Sequence, residues 1–96
     1  MTTGQQVRPE ILIVDDEEGV RSLLGELLSN TYSCLTAESG ERAIQLLREH
    51  RPAVVISDVN MPGISGLDLI PLVREMSPES VVMMISGNRA MDNAIE

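Results

Sequence analysis

The sequence predicts a single α/β domain built on a doubly wound parallel sheet, and three observations carry that prediction. Short β-branched runs alternate with helical patterns in the order β-α-β-α-β-α-β-α, which produces right-handed βαβ crossovers and a parallel sheet. The runs Ile11-Leu12-Ile13-Val14, Val54-Val55-Ile56 and Val81-Val82-Met83-Met84-Ile85 are continuously apolar rather than alternating, as strands covered on both faces are. Each is followed by acids or by small polar turn residues, at the strand ends where open α/β sheets place their chemistry.

Residues 1–9 are polar and aperiodic and read as a flexible lead-in, leaving 10–96 as the domain. After the first strand, Val20, Leu23, Leu24, Leu27 and Leu28 follow helical spacing, so a helix over about residues 17–29 is expected to turn one face to a core. Tyr32 to Ala37 is a weaker strand, diluted by Ser33, Cys34 and Thr36. Ser39 reads as the N-cap of a helix carrying Ala43, Ile44, Leu46 and Leu47, which Pro52 stops. A third helix holds Leu67, Ile70, Val73 and Met76, with a bend expected at Pro71 because proline removes a backbone hydrogen bond. Ala90 to Glu96 reads as the start of a fourth helix.

Composition narrows the function. The length of 96 residues supports one domain, near the small end for a self-sufficient core. Tyr32 is the only aromatic ring, so Leu, Ile, Val and gap-filling Met must form that core, and stacking platforms for single-stranded nucleic acid are absent. A formal net charge of -8 disfavours direct contact with nucleic acid or an anionic membrane, and favours cations and basic protein surfaces. No run approaches the roughly 18 apolar residues of a membrane span, and no signal-peptide pattern opens the chain. Cys34 is the single cysteine, a small strand hydrophobe without an internal disulfide partner, so a cytoplasmic location is expected.

Asp58 is the residue to explain. Followed by Val59-Asn60-Met61-Pro62-Gly63, it reads equally well as the start of a turn and as a functional acid at a strand end. Asp15 and Asp16 alone would be ordinary helix-start acids, as Glu17 and Glu18 are, and Ser86 alone an ordinary turn residue. In a parallel sheet, however, Asp15, Asp16, Asp58 and Ser86 share one edge. Carboxylates within about 4 Å repel by roughly 4 kcal/mol per pair at an effective dielectric near 20, which a hard divalent cation relieves. With Mg²⁺ screening the charge, one carboxylate can attack phosphorus.

Three segments together resemble the receiver domain of a two-component response regulator: Ile11 through Glu17, Ser57 through Gly66, and Val82 through Gly87. The likeness runs from about Glu10 to the last residue. It implies a flavodoxin-like sheet of order 2-1-3-4, a regulatory phosphoacceptor rather than an enzyme, and phosphoryl uptake and loss that the domain catalyses on itself. Asp58 would accept the phosphoryl group from a histidine kinase or phosphotransfer protein. Mg²⁺ would sit on Asp15, Asp16, Asp58 and the backbone carbonyl of Asn60, with Ser86 as the switch hydroxyl. Met61, Pro62 and Gly63 would shape the loop, Gly66 would begin the next helix, and a full-length protein would carry an output domain.

One implied residue has no counterpart. Receiver domains supply a lysine from a fifth strand, whereas these 96 residues contain no lysine, and Arg89 is poorly placed to replace it. Either the chain is part of a longer protein, or it completes its sheet by pairing or exchanging strands with a second copy, in which case docking or dimerisation replaces productive phosphorylation. An aspartyl phosphohydrolase is disfavoured because Asn60 stands where its second acid is expected. A dinucleotide fold is disfavoured because no G-x-G-x-x-G follows the first strand.

Overall fold

The computed structural model describes residues 8–85, which form four strands and three helices: β1 (Glu10–Val14), α1 (Glu18–Leu28), β2 (Ser33–Ala37), α2 (Gly40–Glu49), β3 (Val54–Asp58), α3 (Gly66–Met76) and β4 (Val81–Ile85). Ser86 and the expected fourth helix lie outside the described residues. All strand pairs are parallel, in the order β2-β1-β3-β4. Arg8 and Pro9, expected in the lead-in, are tied down: the Arg8 guanidinium donates to the Ser29 carbonyl at 2.8 Å, and Ser33 N–H donates to Pro9 O at 2.9 Å.

The helix starts follow their sequence signals. Ser39 caps α2 by accepting Arg42 N–H at 3.1 Å, and Ser65 and Asp68 form a reciprocal capping box at α3. Helix α3 runs through Pro71, which is exposed, so the ring projects to solvent and only the Leu67 carbonyl loses its helical donor.

Strand alternation divides the core in two. Leu12, Val14 and Val55 pack with Ala43, Leu46 and Leu47 of α2, Leu69 and Val73 of α3, and Met61. Ile11 and Ile13 point to the opposite face, where α1 lies against β1 and β2. Along that face the register runs Ile11, Val54, Val81 and Ile13, Ile56, Met83. Burial falls in the same direction, from 2% and 0% exposed at Ile11 and Ile13 to 58% and 52% at Val81 and Met83.

Two expectations are corrected here. No residue of α1 is fully buried: Val20, Leu24 and Leu28 are half-buried where the helix lies against β1 and β2, and Leu23 and Leu27 are 56% and 66% exposed. Methionine fills a core gap at Met61 but not at Met83, which stands on the thinly covered half.

Candidate functional site

The parallel register brings the candidate acids together. Val14, the last residue of β1, pairs with Ser57, so Asp15 and Asp58 leave adjacent strands side by side. Asp15 is only 3% exposed, Asp58 half-buried and Asp16 exposed. One carboxylate oxygen from each of the three lies within 4.8 Å of the others.

Backbone contacts hold Asp15 rigidly. Its N–H donates to Ala37 O at 3.1 Å, its Oδ1 accepts Glu17 N–H at 2.9 Å, and its carbonyl accepts the Arg21 guanidinium at 2.7 Å. Burial raises the Asp15 carboxyl above its ordinary range, and the negative charges of Asp58, Asp16 and Glu17 add to the shift against the lowering effect of the Glu17 hydrogen bond. Among the described residues no arginine forms an ion pair with these acids; the contact of His50 Nδ1 with Glu10 Oε2 at 3.2 Å lies at the other end of β1. Among the described residues the cluster is a group of hard oxygen donors with no ion-paired arginine. Carboxylate oxygens are the hard donors that Mg²⁺ takes, so Asp15, Asp16 and Asp58 would suit such an ion, with water completing its shell.

Asp58 is positioned from behind by its main chain. Its Oδ1 accepts Asn60 N–H at 3.3 Å, while Val59 N–H donates to Ile85 O at 3.1 Å and ties the loop to the end of β4. Gly66 N–H donates to Val59 O at 3.0 Å, and a Cβ on Gly66 would fall onto the Asp58 carbonyl oxygen. Only glycine lets α3 start this close to the strand. Gly63 adopts φ 77°, so this loop position needs glycine for its conformation, while a Cβ there would meet only the movable carboxylate end of the exposed Glu41. Met61 anchors the loop in the core at 8% exposure, leaving Asn60 and Pro62 exposed.

Three residues near the site were not singled out from sequence. The buried Ser57 hydroxyl donates to Asp58 O at 3.0 Å, a role that strand position alone does not reveal. Gly40, the first residue of α2, is crowded by Ile64, whose Cβ lies 2.7 Å from where a Gly40 Cβ would stand. Arg21 is the third. Its position on the first turns of α1 was visible, but its reach back to the β1 end was not. Ser86 lies outside the described residues.

A parallel 2-1-3-4 sheet with an acid cluster at its carboxyl edge defines a receiver-type domain, and comparison with known proteins gives the same class. The sequence model of the response regulator receiver domain matches residues 11–96. The chain is 34% identical over 91% of its length to the response regulator protein FleR of Pseudomonas aeruginosa, and 31% identical over 88% to the transcriptional regulatory protein AfsQ1 of Streptomyces coelicolor. It spans 19% and 38% of those two proteins.

Among solved structures, a response regulator receiver domain protein from Clostridium thermocellum is 31% identical with a TM-score of 0.78, the match covering 91% of this chain and 71% of that one. The response regulator protein TrrA of Thermotoga maritima, in complex with Mg²⁺ and BeF, is 37% identical with a TM-score of 0.74 over 81% of this chain and 69% of that one. This chain belongs to the response regulator receiver domain family. Among the described residues no helix is long and apolar enough to cross a membrane.

Proposed function

We propose that the chain is a phosphoryl-accepting switch of a cytoplasmic two-component pathway, with Asp58 as acceptor. The observation that carries the reading is the convergence of Asp15, Asp16 and Asp58 within 4.8 Å in a chain of this family. Asp15 and Asp16, with Asp58 and the Asn60 carbonyl, would hold Mg²⁺, which supplies charge neutralisation at the acceptor. An Asp58 carboxylate oxygen attacks phosphorus of a phosphohistidine on a kinase or phosphotransfer protein. The new O–P bond forms as the N–P bond breaks, and the imidazole nitrogen leaves with the electron pair. The buried Ser57 hydroxyl and the tight Gly66 contact keep the Asp58 main chain still during this exchange.

The added phosphoryl group brings nearly two negative charges and strong acceptor oxygens beside the Val59–Ile85 hydrogen bond, so β4 and the segment following it, beginning at Ser86, are the natural recipients of the signal. The output domain and the phosphodonor belong to the same proposal, as does residues 10–96 as the receiver unit. The test is Mg²⁺ titration followed by exposure to a small phosphodonor, with Asp58→Asn as control. Labelling is expected to be Mg²⁺-dependent, lost in the variant and weak in extent, because these 96 residues supply no lysine to the phosphoryl oxygens.

A second reading, docking or pairing of copies without productive phosphorylation, is favoured by β4 at the sheet edge with Val81 and Met83 half-exposed. It predicts a concentration-dependent dimer that Met83→Lys disrupts and no Mg²⁺ binding at millimolar levels. A monomer that binds Mg²⁺ rejects it.

A further inference from the structure

We propose that Arg21 is a positioning residue for the divalent-cation site, holding the Asp15–Asp16 turn open to the ion. The inference rests on the Mg²⁺ site proposed above and concerns a residue outside the ligand set. Arg21 is half-buried on α1, and its guanidinium reaches back across the turn to the Asp15 carbonyl at 2.7 Å. That contact spans from the first turns of α1 to the end of β1, closing a ring around Asp16 and Glu17.

Beyond the main-chain bond from Asp15 N–H to Ala37 O, few contacts among the described residues hold this turn. The N-cap residue Glu17 makes no side-chain cap bond, and α1 fully buries none of its residues against the sheet. Without Arg21, the remaining side-chain tie within the turn is Asp15 Oδ1 accepting Glu17 N–H, which engages one of the oxygens the ion would need. Arg21 therefore supplies order that would otherwise have to come from a ligand.

The choice of acceptor is informative. A cation beside an acidic cluster would be expected to pair with a carboxylate, yet Arg21 binds a neutral carbonyl. The guanidinium orders the turn without occupying the carboxylate oxygens, which stay available to Mg²⁺. Arginine suits this task because it keeps its charge and reaches far with a preorganised fork.

This makes a prediction whose sign opposes simple electrostatics. Deleting a positive charge near an acidic site should tighten cation binding by Coulomb attraction. Deleting a residue that orients a ligand typically weakens it by about 10–100-fold.

The test is calorimetric titration of the chain with MgCl₂, comparing the parent with Arg21→Ala, Arg21→Lys and Arg42→Ala, the last removing the same charge from an exposed site on α2. Arg21→Ala is expected to raise the Mg²⁺ dissociation constant about tenfold, Arg21→Lys to recover part of the loss, and Arg42→Ala to match the parent. Should Arg21→Ala unfold, Arg21→Lys, which keeps the charge but not the fork, decides alone by weaker binding than the parent. Equal or tighter Mg²⁺ binding by a folded Arg21→Ala, or a fall in melting temperature with an unchanged dissociation constant, overturns the positioning role and leaves the Mg²⁺ site intact. A parent chain that does not bind Mg²⁺ overturns both.

Discussion

Asp15 is the residue at which stability and function pull against each other. Burial, with the charges of Asp58, Asp16 and Glu17 beside it, raises its folded-state carboxyl above the ordinary carboxylate range. An acid with a raised folded-state pKa binds more protons in the folded than the unfolded state across that window. Stability therefore falls as pH rises through the folded pKa, and the penalty is fully present above it. Asp15→Asn keeps an oxygen to accept Glu17 N–H while removing the charge. It is expected to raise the melting temperature of the Mg²⁺-free chain at neutral pH, an advantage that shrinks as pH is lowered toward the ordinary carboxylate range. Added Mg²⁺ should raise the melting temperature of the parent and not of this variant, since only the species that binds the ion is stabilised by it. Calorimetric scans with and without Mg²⁺ at two pH values check both statements.

At the scale of elements, the decisive contact is the joint between β3 and α3. The sequence Ser57-Asp58 followed by Met61-Pro62-Gly63 and Gly66 marked a strand, a loop and a helix start, and all three stand where the pattern indicates. What the local pattern did not reveal was the closeness of the packing, because the atoms that crowd Gly66 belong to the backbone of Asp58. Gly40 is similar: nothing beside it predicts that Ile64 of another loop fills its Cβ position. Gly66→Ala must push α3 away from the strand, and a loss of about 1–3 kcal/mol is expected from such overpacking, measured by urea denaturation. Because the displaced atom is the Asp58 carbonyl, phosphoryl labelling should fall more than the stability loss explains. Reading α1 from periodicity went too far for the opposite reason. Its apolar stripe identified a helix correctly, but periodicity does not report how much covering an element receives, and Leu23 and Leu27 are exposed.

At the scale of the whole sheet, its covering by the described residues is asymmetric. One face packs α2 and α3 over Leu12, Val14 and Val55, whereas the other is buried at β1 and opens toward β4. Residues that look alike in sequence should therefore differ in energetic weight. Ile13→Ala, at a site with no exposure, is expected to cost about 2–5 kcal/mol, while Met83→Ala, on the same face two strands away, should stay within about 1 kcal/mol. Denaturant midpoints for the two variants test that gradient. Fold class and the acidic edge were legible because apolar runs, helical periods and the acid spacing are local or pairwise signals, whereas the strand order came only with the resemblance to receiver domains. The uneven covering was not, since it depends on which elements lie side by side in space.

The central claim is that Asp58 is the phosphoryl acceptor, served by the acids of the β1 edge. The most direct measurement is peptide mapping by mass spectrometry after the chain is incubated with acetyl phosphate and Mg²⁺ and the acyl phosphate is trapped by borohydride reduction. The expected result is a single modified carboxylate at Asp58, at low occupancy, absent without Mg²⁺ and absent in Asp58→Asn. Modification at another residue, or labelling that persists in Asp58→Asn or without Mg²⁺, would contradict the account.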